Sequence, residues 1–190
     1  SKYSYTLDKT NNIITLNKYN GTEEVVYVPN KAIISGKTYK TKIENTLFTG
    51  NKIITNVVFE DGIMSGNSLK DLFKECTNLV AVDLNKLDTS NVVDMSYSFY
   101  GCTNLKGVDI SKINTSKVTT MKGMFTSCSS LNDLSLLNLD TSKVKDMQSM
   151  FYGCSNLKSI NLSSFDTSNV ENFISMFQGC SSLEYLNLTG

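Results

Sequence analysis

The chain has 190 residues, with 18 basic and 18 acidic side chains, no His, no Trp, one Pro and 11 Gly. A net charge of zero removes the electrostatic basis for nucleic-acid or polybasic membrane binding. The absence of His excludes Ser-His-Asp and Cys-His catalysis and the His-containing zinc sites. No apolar run approaches the ~20 residues that span a bilayer, and Asp8 with its polar neighbours prevents residues 1–20 from reading as a signal peptide.

From the N-terminus, alternating segments at Ile13-Ile14-Thr15-Leu16 and Val25-Val26-Tyr27-Val28, separated by Asn20-Gly21, predict strands and a turn. Residues 1–46 are expected to form a β-rich N-terminal cap, and residues 47–190 a repeat array. The array opens on a divergent coil, 47–78, in which Leu47-Phe48 answers Leu72-Phe73 at an offset of 25. Coils then start at Leu79, Leu105, Leu131 and Leu157, and a partial coil starts at Leu183. The sequence stops partway round that last coil, so a longer exported parent protein is expected.

The period is 26 residues. It is carried by Cys76, Cys102, Cys128, Cys154 and Cys180, and by Phe73, Phe99, Phe125, Phe151 and Phe177. Val92, Val118, Val144 and Val170 keep the same register, as do Met95, Met121 and Met147 with Phe173 in the fourth place. A fixed period of this length marks a solenoid, in which each unit buries its apolar face against its neighbours. Within one unit, Val108 and Ile110 alternate as in a strand. A turn follows near Asn114-Thr115-Ser116, and the three-and-four spacing of Val118, Met121 and Phe125 predicts a short helix or 3-10 turns. The expected fold class is therefore an α/β repeat: a leucine-rich repeat solenoid of short parallel strands with helical or 3-10 returns, plus the β-rich cap.

The runs Phe151-Tyr152-Gly153-Cys154-Ser155-Asn156-Leu157 and Phe165-Asp166-Thr167-Ser168-Asn169-Val170 resemble the BspA-like leucine-rich repeat surface proteins. Tyr19-Asn20-Gly21, followed by Val26-Tyr27-Val28-Pro29, is similar to the segment that often opens such arrays. The resemblance covers about residues 13–190. It implies a bacterial, cell-surface or secreted protein that binds or adheres to host or cell-surface proteins or glycans. It transfers no catalytic or binding residue.

Two ladders carry chemical alternatives. The cysteines read as core, as disulfides or as metal ligands. Stacked coils hold equivalent side chains ~4.8 Å apart, wider than the ~3.5–4.5 Å Cβ separation of a disulfide, and there is no CxxC pair, so burial is expected. Asp88, Asn114, Asp140 and Asp166 share a register, each followed by Thr-Ser. They read as turn and cap residues or as a calcium ladder, and the threonines as a flat ice-binding array. Asn114 in an otherwise acidic row favours the hydrogen-bonding reading.

Candidate ligand-facing residues are the exposed strand positions Lys106, Asp109, Asn132, Asp133, Lys158, Asn161 and Tyr185. Tyr97, Tyr100 and Tyr152 on the returns are candidate aromatic contacts, since protein interfaces favour Tyr and Arg. No catalytic, cofactor or metal residue is assigned, and no cofactor is expected. Three functions are compared. A binding or adhesion module is preferred. A structural spacer without a ligand of its own is the alternative. An enzyme lacks any nameable base or nucleophile.

Overall fold

The computed structural model describes residues 1–189. It is a β-solenoid of about seven turns with no helix among the described residues. The N-terminal region supplies β1 (Tyr3–Asp8), β2 (Ile13–Tyr19), β3 (Val25–Val28), β4 (Lys31–Ile34) and β5 (Lys37–Ile43). The coils add β6 (Asn56–Phe59), β7 (Ile63–Met64), β8 (Ala81–Asp83), β9 (Leu87–Asp88), β10 (Gly107–Asp109), β11 (Asp133–Leu134), β12 (Ser159–Asn161) and β13 (Tyr185–Asn187).

These strands make three sheets. One runs β1-β2-β5-β7-β9, with β4 antiparallel to β5 at its side. The second runs β3-β6-β8-β10-β11 in parallel register, and the third pairs β12 with β13. The second sheet puts Val26, Val57, Val82 and Val108 side by side, facing inward. Period-2 alternation then turns Tyr27, Val58, Asp83 and Asp109 outward.

The returns differ from the helical or 3-10 segments predicted for them. Each is a chain of turns containing a left-handed residue at every fourth position: Tyr97 and Gly101, Gly123 and Ser127, Ser149 and Gly153. Turn bonds such as Tyr100 N–H to Tyr97 O (3.2 Å) and Cys102 N–H to Phe99 O (3.1 Å) alternate with bonds between coils. From one coil the N–H groups of Met95, Tyr97, Phe99 and Gly101 donate to Thr120, Lys122, Met124 and Thr126 of the next coil. A left-handed residue reverses the local winding, so helical rotation never accumulates and alternate amides are freed to bond outward. The three-and-four spacing of core residues survives because the turns face the same interior.

That interior is one continuous column. Rings of Phe48, Phe73, Phe99, Phe125, Phe151 and Phe177 stack nearly parallel, with centroids 5.5–5.9 Å apart. Leu79, Leu105, Leu131 and Leu157 are buried beside them. All five cysteines are free thiols, four fully buried and Cys180 half-buried. Each donates to a phenylalanine carbonyl of the preceding coil, as Cys102 does to Phe73 O at 3.0 Å and Cys154 to Phe125 O at 3.2 Å. Burial pushes the Cys76 and Cys154 thiols up to about 12 and raises that of Cys128 well above its ordinary value.

Candidate functional site

The Asp/Asn ladder forms turns. In each coil the side-chain oxygen of Asp88, Asn114, Asp140 or Asp166 accepts both the N–H and the hydroxyl of the serine two residues on. The Ser116 hydroxyl to Asn114 distance is 2.7 Å, the same as Ser142 to Asp140. Asn114 fills the slot without a charge because what the slot supplies is an acceptor. These hydrogen bonds hold the carboxyls of Asp88, Asp140 and Asp166 below the usual range, the serine hydroxyl being the largest cause. The threonine that follows is buried at Thr89, Thr115 and Thr141. The Thr115 hydroxyl donates to Asp140 O (2.9 Å) and accepts the Asp140 N–H (2.8 Å), a reciprocal clasp repeated along the column. The threonines face the interior and not a flat outer array.

The outer face of the second sheet carries a depression of about 490 Å³, floored by the small residues Ala81 and Gly107 and edged by Asp83, Asp109, Asp133 and Ser135. Of the sequence-derived candidates it gathers Asp109 and Asp133. Asp109 is held below the usual carboxylate range by hydrogen bonding to Asn85 and to the Ser111 hydroxyl. Lys106, Asn132 and Lys158 are exposed in a separate row just before the strands. There the Lys106 N–H bonds back to Val80 O, and the Asn132 N–H to Lys106 O. Asn161 and Tyr185 lie on β12 and β13, in a different sheet from Asp109 and Asp133. The seven positions are therefore not one cluster.

Sequence reasoning passed over Tyr27. It is 71% exposed, and β3 pairs with β6 so that Tyr27 stands beside Val58 on the same outer face as the depression. The signal was the alternation Val25/Tyr27 outward and Val26/Val28 inward, which lies outside the 26-residue period.

The tyrosines of the returns do converge. Tyr97 and Tyr100 meet edge to face, 5.8 Å between centroids. With Tyr152 they border a depression of about 320 Å³ that includes Lys122, Gln148 and Ser149. Lys122 stands 6.0 Å from the Tyr97 ring centroid, and Lys74 5.5 Å from that of Tyr100. Among the described residues there is no cluster of three or more His, Cys, Asp or Glu arranged to hold a metal ion. No helix of the described residues is long and apolar enough to cross a membrane.

Parallel strands, an inward leucine and valine ladder and a buried cysteine and phenylalanine column define a leucine-rich repeat solenoid. Residues 67–188 match the model of a family described as a Mycoplasma protein of unknown function, DUF285, and the chain belongs to that family. No curated protein matches it. The fold is similar to the crystal structure of a leucine-rich repeat protein from T. pallidum, with a TM-score of 0.64 and 23% identity, covering 98% of this chain and 79% of that one. A leucine-rich cell surface protein from Faecalibacterium prausnitzii aligns over 98% of this chain and 41% of its own, at 22% identity and a TM-score of 0.49. The resemblance to BspA-like leucine-rich repeat proteins read from the repeats agrees with these findings.

Proposed function

We propose that this chain is a noncovalent binding module of a cell-surface or secreted protein, with residues 1–46 as its cap and the outer face of the second sheet as its ligand-facing surface. One observation carries the reading. Inward strand positions repeat, as Val26, Val57, Val82 and Val108, whereas the outward row beside them changes from Tyr27 to Val58, Asp83, Asp109 and Ser135. Packing constrains the first row, and contact with a ligand gives a reason for the diversity of the second. The exposed Tyr27 supplies the kind of aromatic anchor that interfaces concentrate near their centre, and the depression beside it accepts a protruding group. Surface display follows from the sequence resemblance to BspA-like proteins.

The test is a binding screen of the folded chain against host matrix proteins and mucins, beside a variant carrying Tyr27→Ser and Asp109→Asn. Saturable binding that is lost in the variant supports an adhesive sheet face. Silence from a chain with an unchanged thermal midpoint supports the alternative, a spacer that holds other domains away from the surface.

A further inference from the structure

We propose that the return wall carries a second, separate site that binds one pyranose ring of a glycan between Tyr97/Tyr100 and Tyr152. Three registers build it. Tyr100, Thr126 and Tyr152 occupy one register in successive coils, and Tyr97, Gly123 and Ser149 occupy another. A third holds Lys122 and Gln148. Coils stack ~4.8 Å apart, so Tyr100 and Tyr152 start two spacings apart with Thr126 between them, while the Tyr97 ring leans over Gly123 of the middle coil. The result is a notch bordered by tyrosines, with Thr126 between them.

Gly123 is required for that shape. It is buried beneath the Tyr97 ring, and a Cβ there would lie 2.5 Å from Cδ1 and Cε1 of Tyr97. Tyr97 itself is held at a φ of 57°, a conformation a bulky side chain adopts only at a cost in strain. The same register is filled by Gly123 and Ser149 without an aromatic, so the turn does not need one. The left-handed turn serves the fold, and the ring carried on it is surplus to that turn, which points to a use for the ring.

The lining selects the ligand. Tyr97, Tyr100, Tyr152 and Ser149 present hydroxyls, Gln148 an amide and Lys122 an ammonium group, and no carboxylate lines the notch. Such donors and acceptors match a ring of hydroxyls, while the exposed Tyr152 ring matches the apolar C–H face of a pyranose. Its volume of about 320 Å³ suits a small cyclic ligand. There is no deep apolar hole of the kind that a peptide anchor side chain fills.

The test is titration of the ¹⁵N-labelled chain with lactose, N-acetyllactosamine, mannotriose and chitotriose, following the amides of Gly123, Thr126 and Ser149. Alanine, glutamate and lysine tripeptides run alongside. At least one sugar is expected to move these amides saturably, and Tyr152→Ser to weaken it by about tenfold, the scale of one lost aromatic contact. Tyr97→Gly relieves the strained backbone, so it is expected to keep the thermal midpoint while weakening the sugar likewise. The double variant Tyr27→Ser, Asp109→Asn, on the sheet face, is expected to bind the sugar normally, which keeps this site distinct from the one above. No shift from any sugar, shifts that survive both tyrosine variants, or shifts from the tripeptides alone would each overturn the proposal.

Discussion

The thiol of Cys128 donates to the carbonyl oxygen of Phe99 in the preceding coil, 3.1 Å away. That bond joins the two strictest ladders of the sequence, because each cysteine is tied to the phenylalanine one coil earlier. The Phe99 carbonyl also accepts the Cys102 N–H (3.1 Å), so the thiol is a second donor to an oxygen already fixed by the turn, and its own polar hydrogen is satisfied in a dry interior.

Thiol chemistry follows from this burial. Cys76, Cys102, Cys128 and Cys154 are expected to stay unmodified by a disulfide-exchange reagent in the native protein at pH 8, because only the thiolate attacks. Cys180, half-buried, is expected to react first. Counting labelled cysteines by mass spectrometry before and after adding denaturant checks the order.

The same thiols predict an alkaline limit. Cys76 and Cys154 ionise near 9.0 when solvated and near 12 when folded. A raised folded value favours the neutral form, so its contribution is whole below pH 9.0 and is lost as pH climbs towards about 12. Denaturant midpoints measured between pH 8 and 11 should be flat at first and then fall. A flat profile throughout would show that these thiols are solvated.

Phe125→Ala removes one ring from the middle of the stack, between Phe99 and Phe151. With neighbours fixed by the column, the cavity cannot collapse, and a loss of about 3–5 kcal/mol is expected. Equilibrium unfolding in urea measures it. An unchanged midpoint would mean that the ring does not pack inward.

Thr115→Val keeps the shape and deletes the clasp to Asp140. The Asp140 N–H and carbonyl each lose a buried partner, for an expected cost of about 1–3 kcal/mol. Asn114→Asp, which keeps the acceptor for Ser116, should lie within about 0.5 kcal/mol of the parent.

Because serine groups already satisfy the ladder carboxylates, EDTA is expected to leave the thermal midpoint unchanged. Acid acts instead. The lowered carboxyls of Asp88, Asp140 and Asp166 stabilise the fold above their ordinary value of 3.8, and that contribution is lost as pH falls below it. Asn114 does not titrate. The amide of Ser116 should therefore hold its chemical shift while those of Ser90, Ser142 and Ser168 move.

Inward positions were legible from sequence because stacking forces them to match. Phe99, Cys102 and Leu105 sit over Phe125, Cys128 and Leu131, so identity along the chain reports contact in space. The return conformation was not legible. Val118, Met121 and Phe125 have the same spacing in a helix as in a chain of turns, and the distinction lay in left-handed positions filled by residues as unlike as Tyr97, Gly123 and Ser149. The outward rows carry no packing constraint, so their grouping depended on three-dimensional facts: β3 pairing with β6 beside the depression, and Lys122 and Gln148 meeting the tyrosines.

The predominantly one-way bonding of the returns has an electrical consequence. In ordinary sheets donors and acceptors alternate in direction along each strand and their dipoles largely cancel. Here four successive bonds between returns, from Met95, Tyr97, Phe99 and Gly101 to the next coil, point the same way against one reversed bond, Thr119 N–H to Val93 O, so the peptide dipoles have a net sum along the stack as they do along a helix. The wall has a negative pole towards the first coils. There the carbonyls of Lys70, Asp71 and Glu75 are met by the side chains of Asn45, Thr49 and Lys52, the last donating its ammonium at 2.6 Å. The solenoid is thus a polar rod, capped at its negative pole by donor side chains, and a coil laid on it in the reverse sense would set like pole against like.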